Sequence, residues 1–375
     1  MLVLPSKPSV RLADIWLSCL AALDGEPNLL NLQPAAKAAV LLVDGLGAAN
    51  LRDREGHARW LFEVWRKQGL VADSCFPSTT SSALASLMTG ADSGQHGLVG
   101  YKIRDPDSGT LVNHLKSWGP NISPSSWQRS ETIFQKALTK KIPSLAMGEH
   151  RFVGSDFTEA VWRGATFVGS DSLDHQFKLM RDFFDANDRG LAYLYWPALD
   201  RAGHASGVGS DSWIRKLEAL DRVLASLDKF LKPDEGLIIT ADHGMVDVPT
   251  EGKLMIEPVS PLLAQVSQWA GEPRAVQLYL ENPDLVAEKA EQWSSFLDDR
   301  ATVLTRHEAV DGGFFGQVAD EVAPRIGDIL ILASKKTALY RGDLGSIQSK
   351  KMVGQHGSIS PEEREIPVIP VGAWL

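Results

Sequence analysis

Two cysteines in 375 residues, Cys19 and Cys75, are too few for a disulfide framework. That suits a reducing compartment, and a cytoplasmic location is the expectation. Long apolar runs are also missing: no segment approaches the roughly 20 residues needed to span a bilayer. The nearest candidate, residues 15–23 after Lys7 and Arg11, is short and abuts Asp14. Leu12, Ile15, Trp16, Cys19, Leu20 and Leu23 fall on one helical face there, so it reads as an amphipathic core helix rather than a signal peptide. Positive charge is in deficit, with 38 Lys and Arg against 47 Asp and Glu and a net charge of −9. This argues against general affinity for nucleic acid polymers or anionic membranes, which need clustered cations; an anionic substrate would require a local reversal of the field. Internal repeats, heptads and low-complexity linkers are absent too.

What is present suits one large α/β domain, residues 1–375, with room for an inserted subdomain. Runs at 38–43, 191–195, 237–240 and 329–332 are apolar through both faces, as expected of a central sheet covered by helices on both sides. Residues 81–88 and 211–231 read as helices, the second with Ile214, Leu217, Leu220, Leu224, Leu227 and Leu231 as its buried stripe. Asp211 and Ser212 suit its start and Lys232-Pro233 its end. The stretch 246–355 lacks the dense polar clusters found elsewhere and is the expected place for a small cap or inserted subdomain.

Polar residues gather just past the strand candidates. VLLVDGLG puts Asp44 after the first, YWPALDRAGH puts Asp200 and His204 four apart after the second, and LIITADHG puts Asp242 beside His243 after the third. Near the C-terminus, GQHGS holds His356 between glycines. In open α/β sheets the crevice outside the carboxyl ends of the strands collects such groups. Each has a bland reading: a turn, surface neighbours on a helix, a loop histidine. Their joint occurrence in this order argues for one site. Asp and neutral His are ligand types for zinc or manganese, and three of each would serve two divalent ions with positions left open. Two such ions suit in-line phosphoryl displacement and supply the positive field that the acidic chain lacks.

FPSTTSSALASLMTG, residues 76–90, lines up Ser78, Thr79, Thr80 and Ser81 before a helix. One hydroxyl there is a candidate nucleophile activated by a metal, with the helix N-terminus holding a phosphate. The competing reading is helix capping, which needs only one of the four.

DG near the N-terminus, FPSTT leading into ALASLMTG, QHGLVGY, DRAGH, ADHGM and the late QHG resemble, in order, the type I phosphodiesterase/nucleotide pyrophosphatase branch of the alkaline phosphatase superfamily. The resemblance runs from about residue 38 to the C-terminus. It implies an α/β/α sandwich with a mostly parallel central sheet, and two zinc ions, with manganese an alternative. One ion would be held by Asp44, Thr80, Asp242 and His243, the other by Asp200, His204 and His356. The family nucleophile lies three residues after the motif proline, which selects Thr80 over Thr79. Thr80 would attack phosphorus in line, and water would then hydrolyse the phospho-threonine. Backbone N–H groups near Thr80 and Ser81 would steady the equatorial oxygens.

One departure stands out. Where nucleotide pyrophosphatases place an Asn that donates to phosphate, this chain has Tyr101, whose phenol donates with a different reach. Lys102, Arg104, His114 and Arg151 are further candidates for anion contacts, and some of the eleven tryptophans for a base-stacking platform, against surface-charge and core readings respectively. The expected substrate is a small phosphate ester or nucleotide. Alternatives on the same scaffold are a phosphomonoesterase, a phosphonoacetate-type hydrolase or a phosphomutase; outside catalysis, a metal-stabilised binding protein. Cys75, five positions before Thr80, is out of place for a sulfatase nucleophile.

Overall fold

A computed structural model describes residues 10–375. The runs at 38–43, 191–195 and 237–240 become the middle of a seven-stranded sheet. In chain order the strands are β1 (Lys37–Val43), β2 (Leu70–Asp73), β3 (Ser144–Gly148), β4 (Thr166–Gly169), β5 (Gly190–Trp196) and β6 (Glu235–Thr240). Next come β7 (Val266–Glu272), β8 (Ala275–Leu280), β9 (Ala301–Thr305) and β10 (Ile329–Ala333), which form a sheet of their own, and finally β11 (Glu365–Gly372). The large sheet has the order β2-β11-β6-β1-β5-β3-β4, and only β11 runs against the rest. β1 pairs in parallel with β5 from Lys37↔Gly190 to Val43↔Trp196 and with β6 from Lys37↔Glu235 to Leu42↔Thr240. With the three carboxyl ends level, the residues that follow them emerge side by side.

Among the helices, five bear on the core and the site: α1 (Asp14–Leu23), α2 (Thr80–Thr89), α3 (Ala198–Ser206), α4 (Asp211–Leu224) and α5 (Val286–Leu297). Residues 15–23 fall in α1, and all six apolar positions of the expected face are buried in the main core. α4 stops at Leu224, earlier than the stripe suggested; Ser226 Oγ bonds back to Val223 O, and Leu227 reaches the core from a short 3₁₀ turn. Its N-cap is Ser210, whose hydroxyl accepts from Trp213 N. Among the described residues no helix is long and apolar enough to cross a membrane.

The run at 329–332 lies outside the central sheet. As β10 it sits inside the antiparallel sheet β7-β8-β10-β9. Leu330 and Leu332 join the main core, while Ile329 and Ile331 join a separate cluster with Val276, Leu278 and, from α5, Trp293 and Leu297. Burial on both faces made this strand look like a central one. Nine of the eleven tryptophans are buried, so most serve packing rather than a stacking platform.

Candidate metal centre and nucleophile

The level ends of β1, β5 and β6 bring Asp44, Asp200 and Asp242 together. Gly45 turns the chain with φ of 77°, and a Cβ there would lie 3.0 Å from Asp200 Cα, so the close approach of the β1 and β5 loops needs glycine. Asp200 N donates to Asp44 O at 3.1 Å, fixing the two loops to each other. Asp200 opens α3, and one turn later His204 Nε2 lies 3.2 Å from Asp200 Oδ1. His356 Nε2 approaches the same oxygen at 3.9 Å. On the other side His243 Nε2 lies 3.5 Å from Asp44 Oδ1, 3.4 Å from Asp242 Oδ2 and 3.2 Å from Thr80 Oγ1. The His243 and His356 rings stack with centroids 3.5 Å apart.

All seven expected ligand residues therefore converge. Two donor groups lie within ion-binding distance of one another, Asp200 with His204 and His356, and Asp44 with Asp200 and His243. The first matches the expected set. In the second, Asp200 takes the place expected of Asp242, whose Oδ1 is occupied by the Gly45 and His243 backbone N–H groups.

Three observations fit divalent cations. Asp44 Oδ1, Asp200 Oδ1 and Asp242 Oδ2 are buried with no hydrogen-bond partner among the described residues. Unpaired buried carboxylate oxygens are costly unless a cation meets them. Each imidazole turns Nδ1 to a backbone carbonyl, His204 to Gly354 O at 2.7 Å, His356 to Ser78 O at 2.9 Å and His243 to Gly244 O at 3.2 Å, leaving Nε2 free to ligate. The charges are frustrated as they stand. Burial, then Asp242 and Asp200, pushes Asp44 well above the carboxylate range. Burial also raises Asp242 against the pull of His243. For Asp200, burial is outweighed by His204, His356 and His243, which hold it low. Burial, His243 and His204 keep His356 neutral.

The four hydroxyls divide. Thr79 occupies the N-cap of α2 without a capping hydrogen bond from its side chain, so capping does not explain the cluster. Ser78 Oγ donates to Ser358 O and accepts from Gly357 N, tying this loop to the His356 turn. Ser81 Oγ, fully buried, donates to Gly100 O at 3.2 Å, which leaves only its backbone for a ligand. Thr80 alone turns its hydroxyl to the Asp and His cluster. Cys75 is held aside: its thiol contacts Pro77 O, and burial pushes it up to about 12.

The other candidates are more scattered. Tyr101 is half-buried, with its backbone N donating to Glu272 Oε2 at 3.0 Å. Lys102 follows it, its ammonium destabilised by burial and then by Lys116. Arg104 stacks on Tyr279 at 4.4 Å. Arg151 pairs with Glu149 and lies over Phe152. His114 is not an anion contact: it is fully buried, with Nδ1 facing Gly100 O and Nε2 accepting from Trp127 Nε1. Burial takes it down to about 3, so it carries no charge to offer.

Two residues escaped the sequence. The Tyr195 hydroxyl donates to Asp44 Oδ2, and burial followed by Asp44 and Asp242 keeps it protonated. Its signal was its place at the end of a strand parallel to β1, legible only once that neighbour is known. Glu272, from the second sheet, had no sequence signal.

Murine ectonucleotide pyrophosphatase/phosphodiesterase 5 is similar with a TM-score of 0.68 at 18% identity, covering 88% of this chain and 87% of its own. The human form of that protein reaches 0.70 at 17% identity, covering 89% and 87%. Phosphonoacetate hydrolase from Sinorhizobium meliloti 1021, in complex with phosphonoformate, reaches 0.70 at 19%, covering 90% and 91%. At these identities the likeness speaks for a shared alkaline phosphatase-like fold. The profile of type I phosphodiesterase / nucleotide pyrophosphatase matches residues 38–359, and the chain belongs to that family.

Proposed function

We propose that the protein hydrolyses a phosphodiester or pyrophosphate bond of a small, nucleotide-type substrate, with Thr80 as nucleophile and two divalent ions, zinc or manganese, as cofactors. The observation that carries this reading is Thr80 Oγ1, buried and 3.2 Å from His243 Nε2, beside three unpartnered carboxylate oxygens. Asp44, Asp242, His243 and Thr80 would hold one ion, and Asp200, His204 and His356 the other. Bound there, the ions supply Lewis acidity: they lower the pKa of the threonine hydroxyl and offset charge on the phosphoryl oxygens. The chain's own residues do the rest. Thr80 Oγ1 attacks phosphorus, the P–O bond to the leaving group breaks, and a phospho-threonine forms; water then cleaves it and restores the hydroxyl. Tyr195 holds the Asp44 carboxylate in place, Ser78 ties the His356 turn to the nucleophile loop, and the first N–H groups of α2 face the phosphate. We further propose that the β7-β8-β10-β9 sheet, within residues 246–355, serves as a cap beside this site within a single catalytic domain.

A phosphonate with a second anionic group is the runner-up substrate. Lys102, next to Tyr101, whose ammonium is disfavoured by burial and then by Lys116, favours it.

The test is turnover of bis-p-nitrophenyl phosphate against p-nitrophenyl phosphate by metal-analysed protein, before and after chelation and with zinc or manganese restored. Chelator-sensitive preference for the diester is expected. Preference for the monoester moves the assignment to a phosphatase or mutase, and release of phosphate from phosphonoacetate alone moves it to the phosphonate. No turnover with both ions bound sinks the hydrolase reading.

A further inference from the structure

Segment 97–101 leads from His96 to Tyr101 and is held from two sides. From the main body, Ser82 Oγ donates to Leu98 O at 2.7 Å, and Ser81 Oγ and His114 Nδ1 meet Gly100 O at 3.2 and 2.6 Å. From the opposite side, Arg325 Nη1 donates to Gly97 O at 3.1 Å and Gln277 Nε2 to Val99 O at 2.7 Å, while Glu272 Oε2 accepts from Tyr101 N at 3.0 Å. Successive peptide groups thus point alternately to the nucleophile helix and to the second sheet or the turn before β10.

The three residues on the second-sheet side are only 7% (Glu272), 1% (Gln277) and 5% (Arg325) exposed. Buried polar groups are costly unless satisfied, and each of these three bonds the backbone of segment 97–101, Gln277 and Arg325 also bonding Gly327 N and Trp127 O. Glu272 is the most exacting. Among the described residues its Oε1 is buried without a hydrogen-bond partner. Burial, and to a smaller degree Glu363, pushes that carboxyl up to about 8 against the pull of Tyr101 N. Its stem also fixes the neighbouring turn: a Cβ on Gly357, next to His356, would come within 2.5 Å of Glu272 Cγ. One side chain therefore touches both the Tyr101 end of the segment that supports Ser81 and the turn that carries His356.

We propose that Glu272 is a positioning residue for the reaction, locking Tyr101 and the His356–Gly357 turn against α2, so that the second sheet sets the geometry in which Thr80 meets its substrate. The proposal rests on the hydrolase reading for its kinetic consequence but not for its structural one, and two measurements separate them. In the metal-free protein, amide exchange of peptides covering residues 98–104 should quicken in Glu272→Ala by at least about tenfold and stay slow in Glu272→Gln, which keeps an acceptor for Tyr101 N. In the metal-loaded protein, Glu272→Ala should lower kcat by roughly 10- to 100-fold with KM little changed and metal content as in wild type, and Glu272→Gln should restore kcat. Unchanged exchange, an unchanged kcat, loss of metal in step with kcat, or failure of Gln to rescue would each overturn the proposal. Should Glu272→Ala not fold, Gln277→Ala, which frees Val99 O on the same side, must show the same two effects; their absence defeats it. Wild-type protein inactive on every ester sinks the hydrolase reading alone, while the exchange result still decides the structural one.

Discussion

The two sheets place polar side chains in opposite ways. In the central sheet β1, β5 and β6 are buried and mainly apolar along their length, and the Asp and His residues of the cluster come only after the last residue of each, with Tyr195 of β5 alone bonding Asp44 from within a strand. In the second sheet the polar residues lie on the strands themselves, with Glu272 at the end of β7 and Gln277 within β8, turned toward segment 97–101. A parallel sheet covered on both faces has no open face for polar side chains and presents them at its carboxyl edge. An antiparallel sheet lying against a loop can offer side chains from one face, and those meet backbone. The first arrangement gathers the Asp and His side chains; the second bonds the backbone of segment 97–101.

Breaking the central edge should have the largest effects. Thr80→Ala is expected to lower turnover by at least about a thousandfold while metal content, measured by elemental analysis, stays at the wild-type level. Unchanged turnover would remove Thr80 from the mechanism. Asp242→Asn should lower bound metal and activity together, because Asp242 Oδ2 loses its charge beside His243 while the backbone bonds to Oδ1 can persist. Full metal occupancy in a correctly folded variant would show Asp242 not to be a ligand. Tyr195→Phe removes the hydroxyl that orients Asp44, and metal affinity should fall by about 10- to 100-fold, read by competition with a chelating dye. Equal affinity would make that contact incidental.

The second sheet offers the smallest but cleanest contrast, in pH rather than rate. The Glu272 carboxyl titrates near 8 in the fold against an ordinary 4.5. Above pH 4.5 the unfolded chain gives up that proton while the folded protein retains it until about 8, so stability declines with rising pH through that window. Glu272→Gln abolishes the decline. Its melting temperature should exceed that of wild type most clearly near pH 9 and least below pH 4.5. A difference independent of pH would show that the carboxyl is not held protonated.

Much of the carboxyl edge was legible because its signals are local. Strand, turn and acidic residue follow one another in VLLVDG and LIITADHG, and Asp200 and His204 occupy successive turns of one helix. The location of β10 was not legible, since burial on both faces reads the same whether the cover is a central-sheet layer or a body on one side and α5 on the other. For His114 the sequence offered an anion contact or a surface charge, and the residue is neither: it is buried, and its partners, Gly100 O and Trp127 Nε1, are brought in by folding.

By itself the sequence determined the three middle strands of the central sheet, the Asp and His residues that follow them and the hydroxyl run before α2. Those depend on contacts within a few residues, where periodicity and turn chemistry act. Only the tertiary structure decided that Asp200 belongs to both donor groups, that Tyr195 bonds Asp44 and that Glu272 reaches Tyr101. Tyr195 and Glu272 meet their partners across 151 and 171 residues of chain. No local preference encodes such a meeting; it follows from strand register and from burial, which leaves a polar atom with few partners to choose from.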